Sequence, residues 1–129
     1  MEHKIILLVD DEGDILTILG AKIKGWGYDL MTAQSGEEAL AAIKENRPDA
    51  VILDYRMPDM DGLSVLRHIR KNDPDLPVIM FTAYPEVQTM KEVKALGVSA
   101  YIPKLSSYID VQAALKTALN MVDKNPETK

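Results

Sequence analysis

Three short stretches of unbroken apolar sequence, Ile5–Val9, Ala50–Leu53 and Val78–Phe81, constrain the fold more than any other feature of the chain. Each is too short for an ordinary helix, and none shows the polar alternation of a half-exposed strand. Such runs fit strands buried on both faces, as in a parallel sheet covered by helices. Tyr28–Ala33 and Ala100–Ile102 are weaker candidates that bring the set to five.

Helical spacing fills the intervals. Ile15, Leu19, Ile23 and Trp26 recur three or four residues apart. Ser35-Gly36-Glu37-Glu38 reads as a capping box, with the Ser35 hydroxyl accepting from the amide three residues on and Glu38 reaching back. Ala39, Leu40 and Ile43 follow as its apolar face. Leu63, Leu66 and Ile69 mark a third helix that Asp73-Pro74 ends. A fourth is expected to open at Pro85, to bury Val87, Met90 and Val93, and to stop at Gly97. The last carries Val111, Leu115, Ala118, Leu119 and Val122. Five β-then-α units imply one α/β domain over residues 1–122, with a polar tail or linker at 123–129. The expected sheet is five-stranded and parallel in the order 2-1-3-4-5, the flavodoxin-like doubly wound arrangement.

With 129 residues, 47% of them hydrophobic, the chain is long enough for a single buried core. A formal charge of −5 repels phosphate backbones, so direct nucleic-acid binding is not expected. The absence of cysteine excludes disulfides and thiol chemistry. The apolar run near the N-terminus is too short for a signal peptide or a membrane span, so a soluble cytoplasmic protein without a membrane partner is expected.

In a doubly wound sheet the ligand site lies at the carboxyl ends of the strands, where the strand order reverses. There, strand 1 runs into Asp10-Asp11-Glu12, strand 3 into Asp54, strand 4 into Thr82-Ala83 and strand 5 into Pro103-Lys104. Any one of these residues has an ordinary explanation as a helix cap. Three carboxylates, a hydroxyl and an ammonium gathered on one rim do not. Two carboxylates about 4 Å apart repel by roughly 4 kcal/mol at an effective dielectric near 20. A divalent cation removes that conflict, and all-oxygen donors suit Mg²⁺.

Asp10-Asp11, Asp54-Tyr55-Arg56-Met57-Pro58-Asp59-Met60-Asp61-Gly62, Thr82-Ala83, Tyr101 and Lys104 together resemble the signature of response-regulator receiver domains. Thr32–Leu40 resembles that family's second strand-to-helix turn. The resemblance implies that Asp54 is the nucleophile that becomes an aspartyl phosphate. It implies that Asp11, Asp54 and the Arg56 carbonyl ligate Mg²⁺ and that Asp10 acts through a bound water. Thr82 and Lys104 would each hold a phosphoryl oxygen, and Thr82 with Tyr101 would form a switch that reshapes the helix 4–strand 5–helix 5 surface. Arg56 and Tyr84 would flank the phosphoryl group and control access of water. The implied partners are a histidine kinase or a histidine phosphotransfer domain, with an effector domain or target protein downstream. Such a protein is a phosphoacceptor, not a turnover enzyme, and a stand-alone phosphorelay carrier is the alternative within the same chemistry. Lys104-Leu105 departs from the family's usual Lys-Pro, so the cheap cis bond available before proline is not expected there.

Rival readings are weaker. A phosphatase of the haloacid-dehalogenase type needs a second Asp two residues after its nucleophile, where this chain has Arg56. A flavodoxin-like electron carrier needs a hydroxyl-rich phosphate loop after strand 1, where this chain has acids. His3 and His68 have no ligand-spaced companions and read as surface residues. The methionines and Trp26 read as packing.

Overall fold

Alternation along each strand divides the apolar side chains between two cores, one on either face of the sheet. In the computed structural model, which describes residues 4–55, 57, 60–82, 87–103 and 113–120, five strands form the sheet. They are β1 (Ile5–Val9), β2 (Asp29–Ala33), β3 (Ala50–Asp54), β4 (Val78–Thr82) and β5 (Ala100–Pro103). All pairings are parallel and the order is β2-β1-β3-β4-β5, as the sequence predicts. Leu7, Val9, Val51, Leu53, Val78 and Met80 point to one face. Ile6, Leu8, Ala50, Ile52, Ile79 and Phe81 point to the other. Every residue of β3 is buried, which is why its sequence shows no polar alternation.

The helices α1 (Gly13–Gly25), α2 (Gly36–Glu45), α3 (Gly62–Asn72) and α4 (Val87–Ala95) close these cores. Leu19 and Ile23 of α1 cover one face together with Leu115 and Leu119, which lie in a helical stretch over residues 113–120. Ala39 of α2, Leu63, Val65, Leu66 and Ile69 of α3 and Val93 of α4 cover the other. Trp26 packs against the core that contains Ile6, Leu8, Leu19 and Ile23, as expected.

The helix ends follow local chemistry. The Ser35 hydroxyl accepts from the Glu38 amide at 3.1 Å. Glu38 does reach back, but one residue farther than a capping box requires, and its Oε1 accepts from the Gln34 amide at 3.0 Å. Gly97 ends α4 with φ +73°, a conformation that costs glycine nothing. Pro85, Val111 and Val122 lie outside the described residues, as does the side chain of Val87.

One expectation fails. Met90 is not buried; it is among the exposed large apolar residues, while Val93 is fully buried. At 3.6 residues per turn Met90 stands about 60° from the Val93 line. The buried edge of α4 runs instead through Val93 and Leu96, beside α3. Arg70 of α3 locks that edge. Its guanidinium donates to the carbonyls of Leu96 and Gly97 beyond α4, and to those of Asp73 and Leu76 beyond α3, at 2.6–3.2 Å.

Candidate functional site

The register of the sheet brings the acids together. β1 pairs with β3 so that Val9 lies opposite Leu53, and the next residues, Asp10 and Asp54, therefore stand level on adjacent strands. Asp54 pairs with Phe81 on its other side, which places the main chain of Thr82 one step further along β4, opposite Pro103. This rim is where the order β2-β1-β3 reverses direction.

Asp10 is fully buried and Asp54 is 3% exposed, whereas Asp11 faces solvent. The Asp10 amide donates to the Ala33 carbonyl at 3.1 Å, continuing the β1–β2 pairing past the end of the strand. The Asp10 carboxylate accepts from the Glu12 amide at 3.0 Å. Asp10 is thus fixed at both its main chain and its side chain. One carboxylate oxygen from each of Asp10, Asp11 and Asp54 lies within 4.8 Å of the others.

Carboxylates at that separation repel by roughly 3.5 kcal/mol per pair at an effective dielectric near 20. Two of the three are withdrawn from water, where an uncompensated charge is costly. Oxygen ligands about 2.1 Å from Mg²⁺ stand about 3 Å apart when adjacent and about 4.2 Å apart when opposite. The cluster fits such an ion after closing by an ångström or so, or with one carboxylate acting through water. One exposed and two buried carboxylates leave the solvent side open to further ligands.

The turn between β3 and α3 is closed on backbone. Asp61 caps α3 by accepting from the Ser64 amide at 2.8 Å. The Gly62 amide donates to the Tyr55 carbonyl at 2.6 Å. A Cβ on Gly62 would lie 2.4 Å from the Asp54 carbonyl oxygen and 2.7 Å from the Tyr55 Cα. The first turn of α3 therefore leans directly on the main chain of the central acid.

Asp10, Asp11 and Asp54 converge as the sequence predicts. Thr82 ends β4 at the same rim, although its side chain lies outside the described part of the structure. Arg56, Tyr84, Lys104 and the Lys104-Leu105 peptide also lie outside the described residues. Tyr101 sits within β5, half-buried against the core on the α2–α4 side. His68 is exposed on α3, with its Nδ1 at 2.8 Å from the Ser64 carbonyl, in keeping with a surface role. Sequence reasoning missed the backbone partners, namely Glu12, Ala33 and Gly62. Amides and carbonyls leave no signature in residue type. Only Gly62 carried a signal, since a glycine directly after a capping Asp implies close approach.

No helix among the described residues is long and apolar enough to cross a membrane. Residues 6–116 match the family model of the response regulator receiver domain. The transcriptional regulatory protein ZraR of Escherichia coli K12 is 40% identical over 114 residues, 88% of this chain but 26% of ZraR. The probable transcriptional regulator ycf27 of Porphyridium aerugineum is 39% identical over 124 residues, 96% of this chain and 51% of that protein. The chain thus spans a quarter to a half of the length of these relatives. Among solved structures, the chemotaxis protein CheY4 of Vibrio cholerae is similar with a TM-score of 0.84 and 28% identity, over 94% of this chain and 99% of that one. The response regulator TrrA of Thermotoga maritima, solved in complex with Mg(2+)-BeF, is similar with a TM-score of 0.76 and 34% identity, over 89% of this chain and 98% of that one.

Proposed function

We infer the function from one premise: the chain belongs to the response regulator receiver domain family, so Asp54 is read as the phosphoacceptor of a two-component pathway. The observation that carries this reading is the buried Asp54 carboxylate at the end of the central strand, within 4.8 Å of oxygens from Asp10 and Asp11. A carboxylate needs no base to act as a nucleophile. What phosphoryl transfer needs is alignment of the acceptor and neutralisation of the charge on the transferring group.

The chain's own residues divide that work. Asp54 Oδ attacks phosphorus as the bond to the donor breaks, in the simplest case a phosphohistidine of a histidine kinase or phosphotransfer domain. The place of Asp54 at the end of the buried strand β3, with its main chain set against the start of α3, is what supports this role. Asp10, Asp11, Asp54 and the Arg56 carbonyl are the groups proposed to hold Mg²⁺, which when bound supplies charge neutralisation at the phosphoryl oxygens. TrrA, a similar protein, was solved in complex with Mg(2+)-BeF, which supports the reading that this chain too takes Mg²⁺. Thr82 and Lys104 are proposed to take the remaining phosphoryl oxygens, and Tyr101 to respond to movement of Thr82. Arg56 and Tyr84 are proposed to screen the phosphoryl group from water. The domain is read as spanning residues 1–122 and as acting on an effector domain or target protein.

The test is incubation with acetyl phosphate and Mg²⁺ followed by intact-mass spectrometry. One phosphoryl group is expected on the unmutated chain and none on Asp54→Asn. Undiminished labelling of Asp54→Asn removes the assignment.

A further inference from the structure

The acids of the site are held by groups that carry no part of the chemistry, and one of these chains of contact ends outside the site. The peptide unit joining Ala33 to Gln34 presents two polar groups in opposite directions. Its carbonyl accepts from the Asp10 amide at 3.1 Å. Its N–H donates to Oε1 of Glu38 at 3.0 Å. Glu38, the Ala33–Gln34 peptide and Asp10 thus form one continuous hydrogen-bonded series. It runs from an exposed carboxylate on α2 to the main-chain amide of Asp10, whose buried side chain stands beside Asp54.

Two physical consequences follow. A side-chain oxygen accepting from the N–H of a peptide polarises it and makes its carbonyl a better acceptor, because hydrogen bonds in series strengthen one another. The Glu38 carboxylate therefore tightens the bond that fixes the Asp10 main chain. Asp10 is then held at two points, by Ala33 at its amide and by the Glu12 amide at its carboxylate.

We propose that Glu38 is a positioning residue for the metal site, acting through the Ala33–Gln34 peptide to hold Asp10 where Mg²⁺ requires it. The inference rests on reading Asp10, Asp11 and Asp54 as that site. It adds to the reading a residue on another helix, which contributes nothing but orientation. Groups that orient metal ligands typically govern affinity by tenfold or more when they touch the ligand itself. With one peptide interposed, a loss of about threefold to tenfold is expected.

The experiment measures Mg²⁺ affinity by titration of the full chain, following the amide resonances of residues 10–12 in nitrogen-15-labelled protein. Four proteins are compared: unmutated, Glu38→Ala, Glu38→Gln and Ser35→Ala. Glu38→Ala is expected to bind Mg²⁺ about threefold to tenfold more weakly and to shift the Asp10 amide proton upfield before any metal is added. Glu38→Gln keeps an oxygen acceptor without the charge and should restore most of both. Ser35→Ala weakens the same helix end without touching the Gln34 bond, so it should lower the melting temperature and leave Mg²⁺ affinity at the unmutated value.

Equal weakening in Glu38→Ala and Glu38→Gln overturns the proposal, because net charge alone then accounts for the loss. So does unchanged affinity in Glu38→Ala. If the unmutated protein shows no Mg²⁺ response, the site reading itself fails, an outcome distinct from either. The metal-free amide shift still tests the hydrogen-bonded series in that case.

Discussion

Gly62→Ala should destabilise this protein, although the general rules for such a change point the other way. Gly62 opens α3 and does not have a positive φ. Alanine at a compatible helical position ordinarily stabilises by about 0.4–1 kcal/mol, through helix propensity and a less flexible unfolded chain. Here the new Cβ would sit 2.4 Å from the Asp54 carbonyl oxygen, where Cβ atoms keep at least 3.0 Å, and 2.7 Å from the Tyr55 Cα. Both obstacles are main chain, so no rotamer change relieves them. β3 and α3 must part by at least about half an ångström, an overpacking cost of about 1–3 kcal/mol. The 2.6 Å bond from the Gly62 amide to the Tyr55 carbonyl is stretched as they part, at about 1 kcal/mol more. Net of the favourable term, a loss of about 1–3 kcal/mol remains, or roughly 3–10 °C in melting temperature for a domain of this size. The displaced atoms belong to Asp54 and its neighbour, so labelling by acetyl phosphate should slow by about tenfold as well. Gly25→Ala is the control, since its Cβ would meet nothing within 4 Å; it should be neutral or stabilising. A Gly62→Ala protein that melts as high as its parent and labels as fast would refute the close-approach argument.

Mg²⁺ at a hundredfold excess over its dissociation constant should stabilise the folded chain by about 2.7 kcal/mol and raise its melting temperature by something on the order of 10 °C. Asp11→Ala should erase most of that rise while melting higher than the parent without metal; calorimetry with and without Mg²⁺ decides both. Arg70→Met strands the carbonyls of Leu96, Gly97, Asp73 and Leu76 together. It should cost about 2–4 kcal/mol in urea titration, with Arg70→Lys in between because an ammonium lacks the planar fork. Arg56→Asn/Tyr84→Glu should shed the phosphoryl label faster than the unmutated protein, followed as decay of purified phosphoprotein. Equal decay would mean that these two side chains do not screen the acyl phosphate.

The fold was legible because burial on both faces leaves a simple trace. β1 coincides with an unbroken apolar run, and β3 and β4 overrun theirs by a single residue, Asp54 and Thr82. Edge strand β2 is harder to read, because only Ala33 of its five residues is buried. Met90 was misread for a related reason. Spacing finds a helical stripe but not which margin of it the neighbouring helix covers, and α3 covers the Val93–Leu96 side. The acids of the site were legible because they follow strands directly and the strand order could be inferred. What holds them was not. Bonds such as that from the Glu12 amide to Asp10, or from the Asp10 amide to Ala33, use atoms that every residue possesses.

These two kinds of information meet in the energetics of the rim. Asp10 and Asp54 lie in the least solvated layer of the protein, and Asp11 joins them from the solvent side. Each pair costs roughly 3.5 kcal/mol when screened as a surface pair, a large share of the 5–15 kcal/mol that typically stabilises a domain. Stability alone would favour an uncharged residue at position 11, and local rules broken without local gain mark functional sites. The surroundings also counter the repulsion rather than relax it. Gly62 forgoes a side chain so that α3 can lean on the Asp54 main chain, and Glu12 and Ala33 hold Asp10 from two sides. A scaffold that keeps three carboxylates together is preorganised for a cation, because the repulsion is met during folding and released on binding. Asp11→Ala should therefore give a more stable protein that is a poorer phosphoacceptor. Opposite signs for these two effects are what a preorganised site requires, whereas a merely structural Asp11 would lower both together.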